Sequence, residues 1–274
     1  MTAGEITIRP LESLDDFRQC VALQRETWGE DFGECVPPSI LQVCQKVGGV
    51  AAGAFDRDGR LLGFVFGLSG VREGRPAHWS DMLAVREEAR GRGLGSRLKA
   101  YQRQVLLEHG IEVAYWTYDP LEAGNANINI NRLSAYPVEY VSNMYGEPTS
   151  TLHAGLTTDR LVVEWQLTDP RVEAILSGAP SEVAAVGAEA PIINTEMVEG
   201  SPIPCEPELH EAPEVRIEVP DDIQSIKRTS LETARSWRAN VRRVFIHYME
   251  RGYRVSGFQR DREALRCFYV LARP

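Results

Sequence analysis

"VREEARGRGLGSRLKAY", residues 85 to 101, places three glycines and three arginines within eight residues and then runs into a helical pattern. Leu94, Leu98, Tyr101 and Val105 recur at helical spacing, so a helix is predicted to begin at this turn. Glycines here allow a close approach of the backbone to a ligand, and a helix N-terminus offers free amide groups to an anion. The stretch therefore predicts a phosphate-binding turn between a strand and a helix.

Two common phosphate loops fit this turn less well than a third. A Walker A loop is excluded because no Lys-Ser or Lys-Thr pair follows the glycines. A dinucleotide fingerprint fails by one glycine, because Gly91 and Gly93 are followed by Ser96. Asp119 ends the next predicted strand, where the ribose-binding acid of a dinucleotide site would lie. An NAD(P)-binding oxidoreductase is therefore kept as an alternative.

The third pattern is Arg or Gln, two residues, Gly, one residue, then Gly or Ala, and Arg90, Gly93 and Gly95 meet it in full. Together with "DMLAV" before the turn and "WTYDPLEAGNANINI", "NMYG" and "DRLVVEWQL" after it, the sequence resembles the GNAT superfamily of N-acetyltransferases. It is similar in particular to a subgroup of predicted acetyltransferases with a C-terminal extension. The resemblance runs from Glu5 to Leu167, about 60% of the chain. It implies an α/β fold with a mixed, mostly antiparallel sheet and flanking helices.

The resemblance also implies acetyl-CoA as the acyl donor and assigns residues to it. Leu83, Ala84 and Val85 would offer backbone groups to pantetheine, at a strand that splays from its neighbour. The family's pantetheine-contacting asparagine falls on Ala123 in strict register, so the nearby Asn125 is taken instead. The pyrophosphate would be held by the turn itself, which comprises Arg90, Gly91, Arg92, Gly93, Leu94, Gly95 and Ser96. The alternative is a turn that enters the helix without binding a ligand, in which the glycines only allow tight packing.

Transfer to an amine requires a base, and two carboxylates are candidates. Asp81 lies in the strand before the turn, and strand alternation predicts that it shares a face with Leu83 and Val85 while His78, Ser80 and Met82 take the other face. Asp119 is the second candidate. Because it precedes Pro120, a plain turn acid is an equal interpretation.

The tyrosine that often protonates the departing thiolate in this superfamily has no counterpart, because Ile130 stands at its position. Tyr136 and Tyr140 lie downstream and are predicted to be core aromatics, with substitution for the missing tyrosine as the alternative. The family's acceptor pocket is lined by the first two helices and late loops, where this chain offers Trp28, Glu30, Asp31, Phe32 and Glu34. A non-catalytic acyl-CoA-binding module of the same fold is therefore a second alternative to an acyltransferase.

Composition suggests three segments. Residues 1–167 are predicted to form the acyl-CoA-binding domain, with the element order β-α-α-β-β-β-α-β-α-β. Residues 168–213 hold seven prolines, nine acidic residues and one basic residue, as expected for a linker or wrapping segment. Residues 214–274 predict a β-α-β-β region with one long helix over 221–251, on which Arg235, Arg238 and Arg242 form a basic stripe predicted to be an exposed face.

Composition also limits the classes of partner and cofactor that the sequence predicts. A net charge of −9 argues against a nucleic-acid partner. No apolar run reaches the roughly 18–20 residues of a membrane helix, and the start resembles no signal peptide, so a cytoplasmic protein without membrane contact is expected. The five scattered cysteines show no metal-ligand spacing, which predicts no metal. The expected acceptor is a small-molecule or peptide amine, and a homodimer is left open.

Overall fold

The computed structural model describes residues 6–146, 155–179, 189–207 and 209–273. Contacts group these residues into two compact units. The first unit holds the described residues up to 116 together with 166–176, and the second holds those from 117 to 165 and from 177 to 273. The predicted segment boundaries at 167/168 and 213/214 stay predictions.

The first unit holds five strands of a sheet. Neighbouring strands pair in chain order, antiparallel from β1 to β4 and parallel between β4 and β5. Asp56 lies in the turn between β2 and β3, where its Oδ1 accepts hydrogen bonds from the amides of Asp58 and Arg60. The strands are β1 (Thr7–Pro10), β2 (Val50–Phe55), β3 (Leu61–Arg72), β4 (Arg75–Val85) and β5 (Val113–Tyr118), the last of which ends in the second unit.

Helices α1 (Leu14–Trp28) and α2 (Pro38–Lys46) follow β1. Helix α1 begins at a capping box in which Ser13 Oγ accepts from the Asp16 amide and the Asp16 carboxylate accepts from the Ser13 amide. One core cluster of the unit joins both helices to the sheet. It includes Phe17, Cys20, Leu23, Leu41, Cys44, Phe64, Phe66, Met82 and Ala84.

Helix α3 (Leu94–Glu108) begins where the glycine turn ends, as predicted. Its buried stripe differs from the prediction, because Tyr101 and Val105 are only half-buried. The stripe instead contains Leu94, Leu98 and Leu106, together with the polar residues Lys99 and Gln102. The buried face of α3 therefore includes two polar side chains that the predicted apolar stripe did not contain.

The second unit begins with α4 (Ala123–Ala126), which continues as a π-helical turn over Asn127–Arg132. Strand β6 (Tyr136–Val141) then pairs antiparallel with β7 (Arg160–Gln166). The predicted element order lacks β6, and that omission was wrong. Pro137 lies within β6 and the register shifts after it, so the strand shows no regular alternation in the sequence.

The acidic segment contains regular structure. Helix α5 (Pro170–Leu176) belongs to the first unit, and β8 (Thr195–Val198) pairs with β9 (Ser201–Pro204) in the second. The Asn194 side chain donates to the carbonyl of Glu218 and accepts from its amide, at 2.9 and 2.8 Å. Its amide group thus takes the place of a neighbouring strand at this point.

The C-terminal region forms the predicted β-α-β-β arrangement, with β10 (Glu214–Pro220), β11 (Arg254–Asp261) and β12 (Arg266–Ala272) in the order β10-β12-β11. The single predicted helix is in fact two, α6 (Ile223–Thr229) and α7 (Leu231–Glu250). Ser230 has extended backbone and caps α7 by accepting from the Thr233 amide. In the described part of the chain, no helix has the length and apolar character needed to cross a bilayer.

Strand β4 carries one residue more than its neighbour β3. Phe66 pairs with Met82 and Gly67 pairs with Ser80, which leaves Asp81 as the extra residue of a β-bulge. At Gly67 the strands approach so closely that a Cβ would lie 2.5 Å from the Trp79 carbonyl oxygen and 2.8 Å from the Ser80 Cα. The bulge is therefore compatible with glycine on the opposite strand.

We expect Gly67→Ala to lower the free energy of unfolding by about 1–3 kcal/mol, because the added methyl group meets backbone atoms that cannot move independently. Gly70→Ala is the matched control on the same strand, because no atom lies within 4 Å of a Cβ there. Chemical denaturation of both variants measures the difference. Equal stability of the two would contradict the close approach at Gly67.

Candidate functional site

The bulge at Asp81 reverses the side-chain alternation of β4. Ser80 Oγ donates to Gln102 Oε1 on α3, at 3.1 Å, whereas Met82 is buried in the core cluster with α1 and α2. Leu83 returns to the α3 side, because a Cβ at Gly95 would lie 3.6 Å from Leu83 Cδ2. The prediction that Ser80 and Met82 share one face was therefore wrong, since a bulge inserts one residue without a partner and shifts the parity after it.

Strands β4 and β5 separate after two paired positions. His78 pairs with Ala114 and Trp79 with Tyr115, and the described register goes no further. Strand β4 continues to Val85 with β3 on its other side only. Leu83, Ala84 and Val85 thus have an edge without a strand partner among the described residues, which is the edge that the sequence assigned to pantetheine.

The glycine turn leaves amide groups exposed at the start of α3. Gly91 and Gly93 have φ of +74° and +71°, a left-handed conformation that glycine adopts without strain. Gly93 is the N-cap and makes no side-chain capping bond, so the amides of Leu94, Gly95 and Ser96 have no acceptor within the helix. Free amides at the positive end of a helix dipole favour an anion at this point.

The two arginines assigned to the turn are both exposed and differ in their contacts. Arg90 Nε donates to the carbonyl of Val85 at 3.0 Å, which ties the turn to the end of β4. Arg92 is exposed within the glycine sequence. Arg90 therefore shapes the loop, and Arg92 contributes positive charge beside the free amides.

Asp81 lies beside residues of the loop that follows α1. Its side chain is exposed, yet the protein atoms around it and the nearby Glu34 raise the pKa of its carboxyl above the usual aspartate value. Trp28 stacks on Phe32 with ring centroids 5.4 Å apart and meets Phe64 edge to face. Asp81 and this aromatic group both belong to the first unit, which also holds the glycine turn.

A buried polar network behind β4 was not predicted from the sequence. Lys99 Nζ donates to Ser80 Oγ and Gln102 Oε1, at 2.7 and 3.1 Å, and lies 3.7 Å from the ring centroid of Trp116. Gln102 Nε2 is 3.0 Å from His78 Nε2. Burial lowers the pKa of Lys99 to about 7. One sequence feature could have indicated this network. Lys99 and Gln102 lie on the same helix face as the apolar residues Leu98 and Leu106.

Asp119 lies in the second unit and is buried. Its Oδ1 accepts from the Leu121 amide at 2.9 Å, as a turn acid does, and its Oδ2 pairs with Arg238 and lies 3.8 Å from Arg160 Nη1. Arg238 itself is only 4% exposed. The carboxylate predicted as a second base is thus engaged by a turn and by two guanidinium groups.

In the basic stripe on the C-terminal helix, Arg235 is exposed as predicted, whereas Arg238 is buried and Arg242 is half-buried. Arg238 pairs with Asp119, and Arg242 Nη2 and Nε donate to Asp159 at 2.6 and 2.7 Å. Burial raises the pKa of Asp159, but hydrogen bonds from Arg242 and Tyr140 outweigh it and hold the pKa below its usual value. The exposed-face prediction was wrong for Arg238 and Arg242, because their partners lie far away in sequence.

The tyrosine and asparagine candidates also lie in the second unit. Ile130 is fully buried, and Tyr140 is a core aromatic as predicted, stacking on Phe245 and donating to Asp159 Oδ2 at 2.6 Å. Asn125 is exposed on α4. Across the described ranges, no three side chains of His, Cys, Asp or Glu come together in a way that could hold a metal ion.

The sequence model of the acetyltransferase (GNAT) family matches residues 17–127. Residues 17–127 are therefore similar to the GNAT acetyltransferase family. The matched range contains the bulged strand, the glycine turn and α3. No curated protein matches the chain. The match supports acyl transfer as the class of activity and leaves the acceptor open.

Several solved structures are similar to part of this chain. A putative phosphinothricin N-acetyltransferase is 15% identical, with 60% of this chain and 100% of that chain covered and a TM-score of 0.46. An N-acetyltransferase from Staphylococcus aureus Mu50 is 14% identical, with 60% and 99% covered and a TM-score of 0.46. An aminoglycoside 6'-N-acetyltransferase complexed with coenzyme A is 16% identical, with 60% and 97% covered and a TM-score of 0.45.

We expect Asp119→Asn to lower the free energy of unfolding by about 3–5 kcal/mol, because the change leaves the buried Arg238 without its counter-charge. Urea denaturation followed by circular dichroism measures the loss. The control is the double variant Asp119→Asn with Arg238→Met, which should lose less than the single variant because the buried guanidinium that paired with Asp119 is removed as well. A neutral effect of Asp119→Asn would argue against the buried ion pair.

Proposed function

We propose that the protein transfers an acyl group from acetyl-CoA to an amine of a small molecule or peptide. The proposal rests on three features that follow one another along the chain within one unit. They are a bulged strand with an open edge, a turn with left-handed glycines, and a helix N-terminus with free amides. Acetyl-CoA supplies the activated acyl group when it is bound. The residues below bind it, orient it and accept a proton.

The residues of the first unit fit coenzyme A by their chemistry. Leu83, Ala84 and Val85 have an edge to which an extended, amide-containing arm can bond as a strand does. The turn from Arg90 to Ser96 combines free amides, positive charge and open space at Gly91 and Gly93, where no atom lies within 4 Å of a Cβ. A pyrophosphate is the anion that we assign to this turn. Asn125 stays a prediction.

Asp81 is the residue that we propose as the base. An ammonium acceptor must lose a proton before it attacks a thioester, and a carboxylate with a raised pKa is a stronger base than an ordinary aspartate. Burial by the surrounding atoms is the main cause of the raised pKa, and Glu34, which adds to it, belongs to the same unit as Asp81. Because the base must be unprotonated, activity is expected to fall as the pH drops through this raised pKa.

Gly95→Val tests the coenzyme assignment. We expect the dissociation constant for acetyl-CoA, measured by isothermal titration, to rise at least about tenfold, because the side chain occupies the space beside the free amides. The fold should be retained, since Gly95 lies within α3 and a Cβ there makes only an ordinary contact. Gly93→Val is a poorer test because φ of +71° strains any branched side chain.

Gln104→Val, on the exposed face of the same helix, is the matched control for Gly95→Val. It should leave the affinity for acetyl-CoA unchanged. Unchanged affinity in Gly95→Val as well would mean that the turn does not bind the coenzyme.

Asp81→Asn tests the base. We expect kcat for acyl transfer to fall by about 10²–10⁴-fold while the affinity for acetyl-CoA is retained, because only proton removal is lost. Release of the coenzyme thiol with a panel of small amines and peptides measures turnover. Glu34→Gln is the control, and it should keep activity but move the acid limb of the pH profile to lower pH, since the neighbouring negative charge is gone. Full activity in Asp81→Asn would remove Asp81 from the mechanism.

The non-catalytic acyl-CoA-binding module is a second candidate, and one observation favours it. Ile130, at the position of the family's proton-donating tyrosine, is fully buried and carries no hydroxyl. Binding of acetyl-CoA without thiol release across the amine panel would support this candidate. We do not propose the NAD(P)-binding alternative, because the carboxylate of Asp119 is already engaged by Arg238 and by its own turn.

A further inference from the structure

A lysine ammonium lies where β4 and β5 separate. Lys99 projects from α3 and is only 6% exposed. Its Nζ donates to Ser80 Oγ on β4 and lies over the ring of Trp116 on β5. The last paired residues of the two strands are Trp79 and Tyr115. Lys99 therefore contacts Ser80 and Trp116, which are the first residues after the last paired positions of the two strands.

The same contact connects Lys99 to the bulge. Ser80 directly precedes Asp81, the extra residue of β4. Any movement of Ser80 would shift the proposed base and the open edge that begins beyond it. Because Lys99 is one helical turn after Gly95, a single helix connects the proposed pyrophosphate turn to the bulge.

A series of hydrogen bonds connects Lys99 to the carbonyl of Gly48. Ser80 Oγ and Lys99 Nζ both donate to Gln102 Oε1, so the Gln102 amide nitrogen faces His78 Nε2 at 3.0 Å and donates to it. His78 Nδ1 then carries the proton and donates to Ser69 Oγ at 3.0 Å. Ser69 Oγ in turn donates to the Gly48 carbonyl at 2.6 Å. A protonated ammonium at the start of this chain orients every later member.

The titratable group that faces Lys99 in this network is His78. Burial, and secondly the charge of Lys99, lower the pKa of His78 to about 3, so it stays neutral from pH 6 upwards. Ser80, Gln102 and Trp116 do not titrate in this range. A change of protonation between pH 6 and 8.5 within this network is therefore a change at Lys99, whose pKa burial lowers to about 7.

We propose that Lys99 is a positioning residue for acyl-CoA, whose ammonium fixes the bulge of β4 against Trp116 and so sets the position of the β4 edge that takes the pantetheine arm. This inference rests on the proposed function. The ammonium form is the competent one, because a neutral amine presents a lone pair where the donor to Ser80 Oγ or the cation over Trp116 is required.

Titration of acetyl-CoA into the full chain at pH 6 and pH 8.5 tests the proposal. The wild-type dissociation constant is expected to rise at least about tenfold over this range, because the affinity follows the fraction of protein in the competent form. Lys99→Met should bind about tenfold more weakly than wild type at pH 6 and lose this dependence on Lys99 protonation. Lys99→Arg should restore part of the affinity and also bind without that dependence, because a guanidinium does not titrate here.

Lys46→Met, the same substitution at an exposed lysine of α2, is the matched control and should behave as wild type. Equal affinity and equal pH dependence in wild type and Lys99→Met would overturn the inference while leaving the proposed function intact. Absence of acetyl-CoA binding in wild type would instead overturn the proposed function. If Lys99→Met failed to fold, the wild-type pH dependence and Lys99→Arg would still decide the question.

Discussion

An extra residue in β4 determines the faces on which the later residues of the strand lie. With Asp81 unpaired, Ser80 faces α3 and Met82 faces α1 and α2. Gly67 permits this arrangement, since a side chain there would meet the backbone of β4. One inserted residue thus separates the carboxylate proposed as a base from the strand edge proposed for the coenzyme, although the two are neighbours in sequence.

Local features of the fold could be predicted because the residues that form them are close in sequence. The capping box at Ser13 and Asp16, the turn at Asp56 and the glycine turn before α3 each depend on a few consecutive side chains. The bulge depends on two strands at once, so alternation along β4 alone could not show it. The extended backbone at Ser230, which divides the predicted helix into two, could also not be predicted, because an apolar helical pattern continues across it.

The burial of charged residues was the second feature that the sequence alone could not predict. Lys99 and Arg238 each lie on a helix where spacing alone suggests an exposed position or an apolar stripe. Their partners come from other elements: Ser80 and Trp116 for the lysine, and Asp119 for the arginine. A charged residue becomes acceptable inside a protein only through such partners, and a single sequence does not show which distant residues they are.

The ion pair between Asp119 and Arg238 has a consequence for synthesis of the chain on the ribosome. The two residues are 119 positions apart, and both belong to the second unit. At about 5–20 residues per second, translation needs roughly 6–24 s to proceed from one to the other. Asp119 therefore emerges well before Arg238 exists, whereas α1, α2, α3 and the first four strands have already been made. The first unit can begin to fold during this interval, and the second must wait for the C-terminal helix.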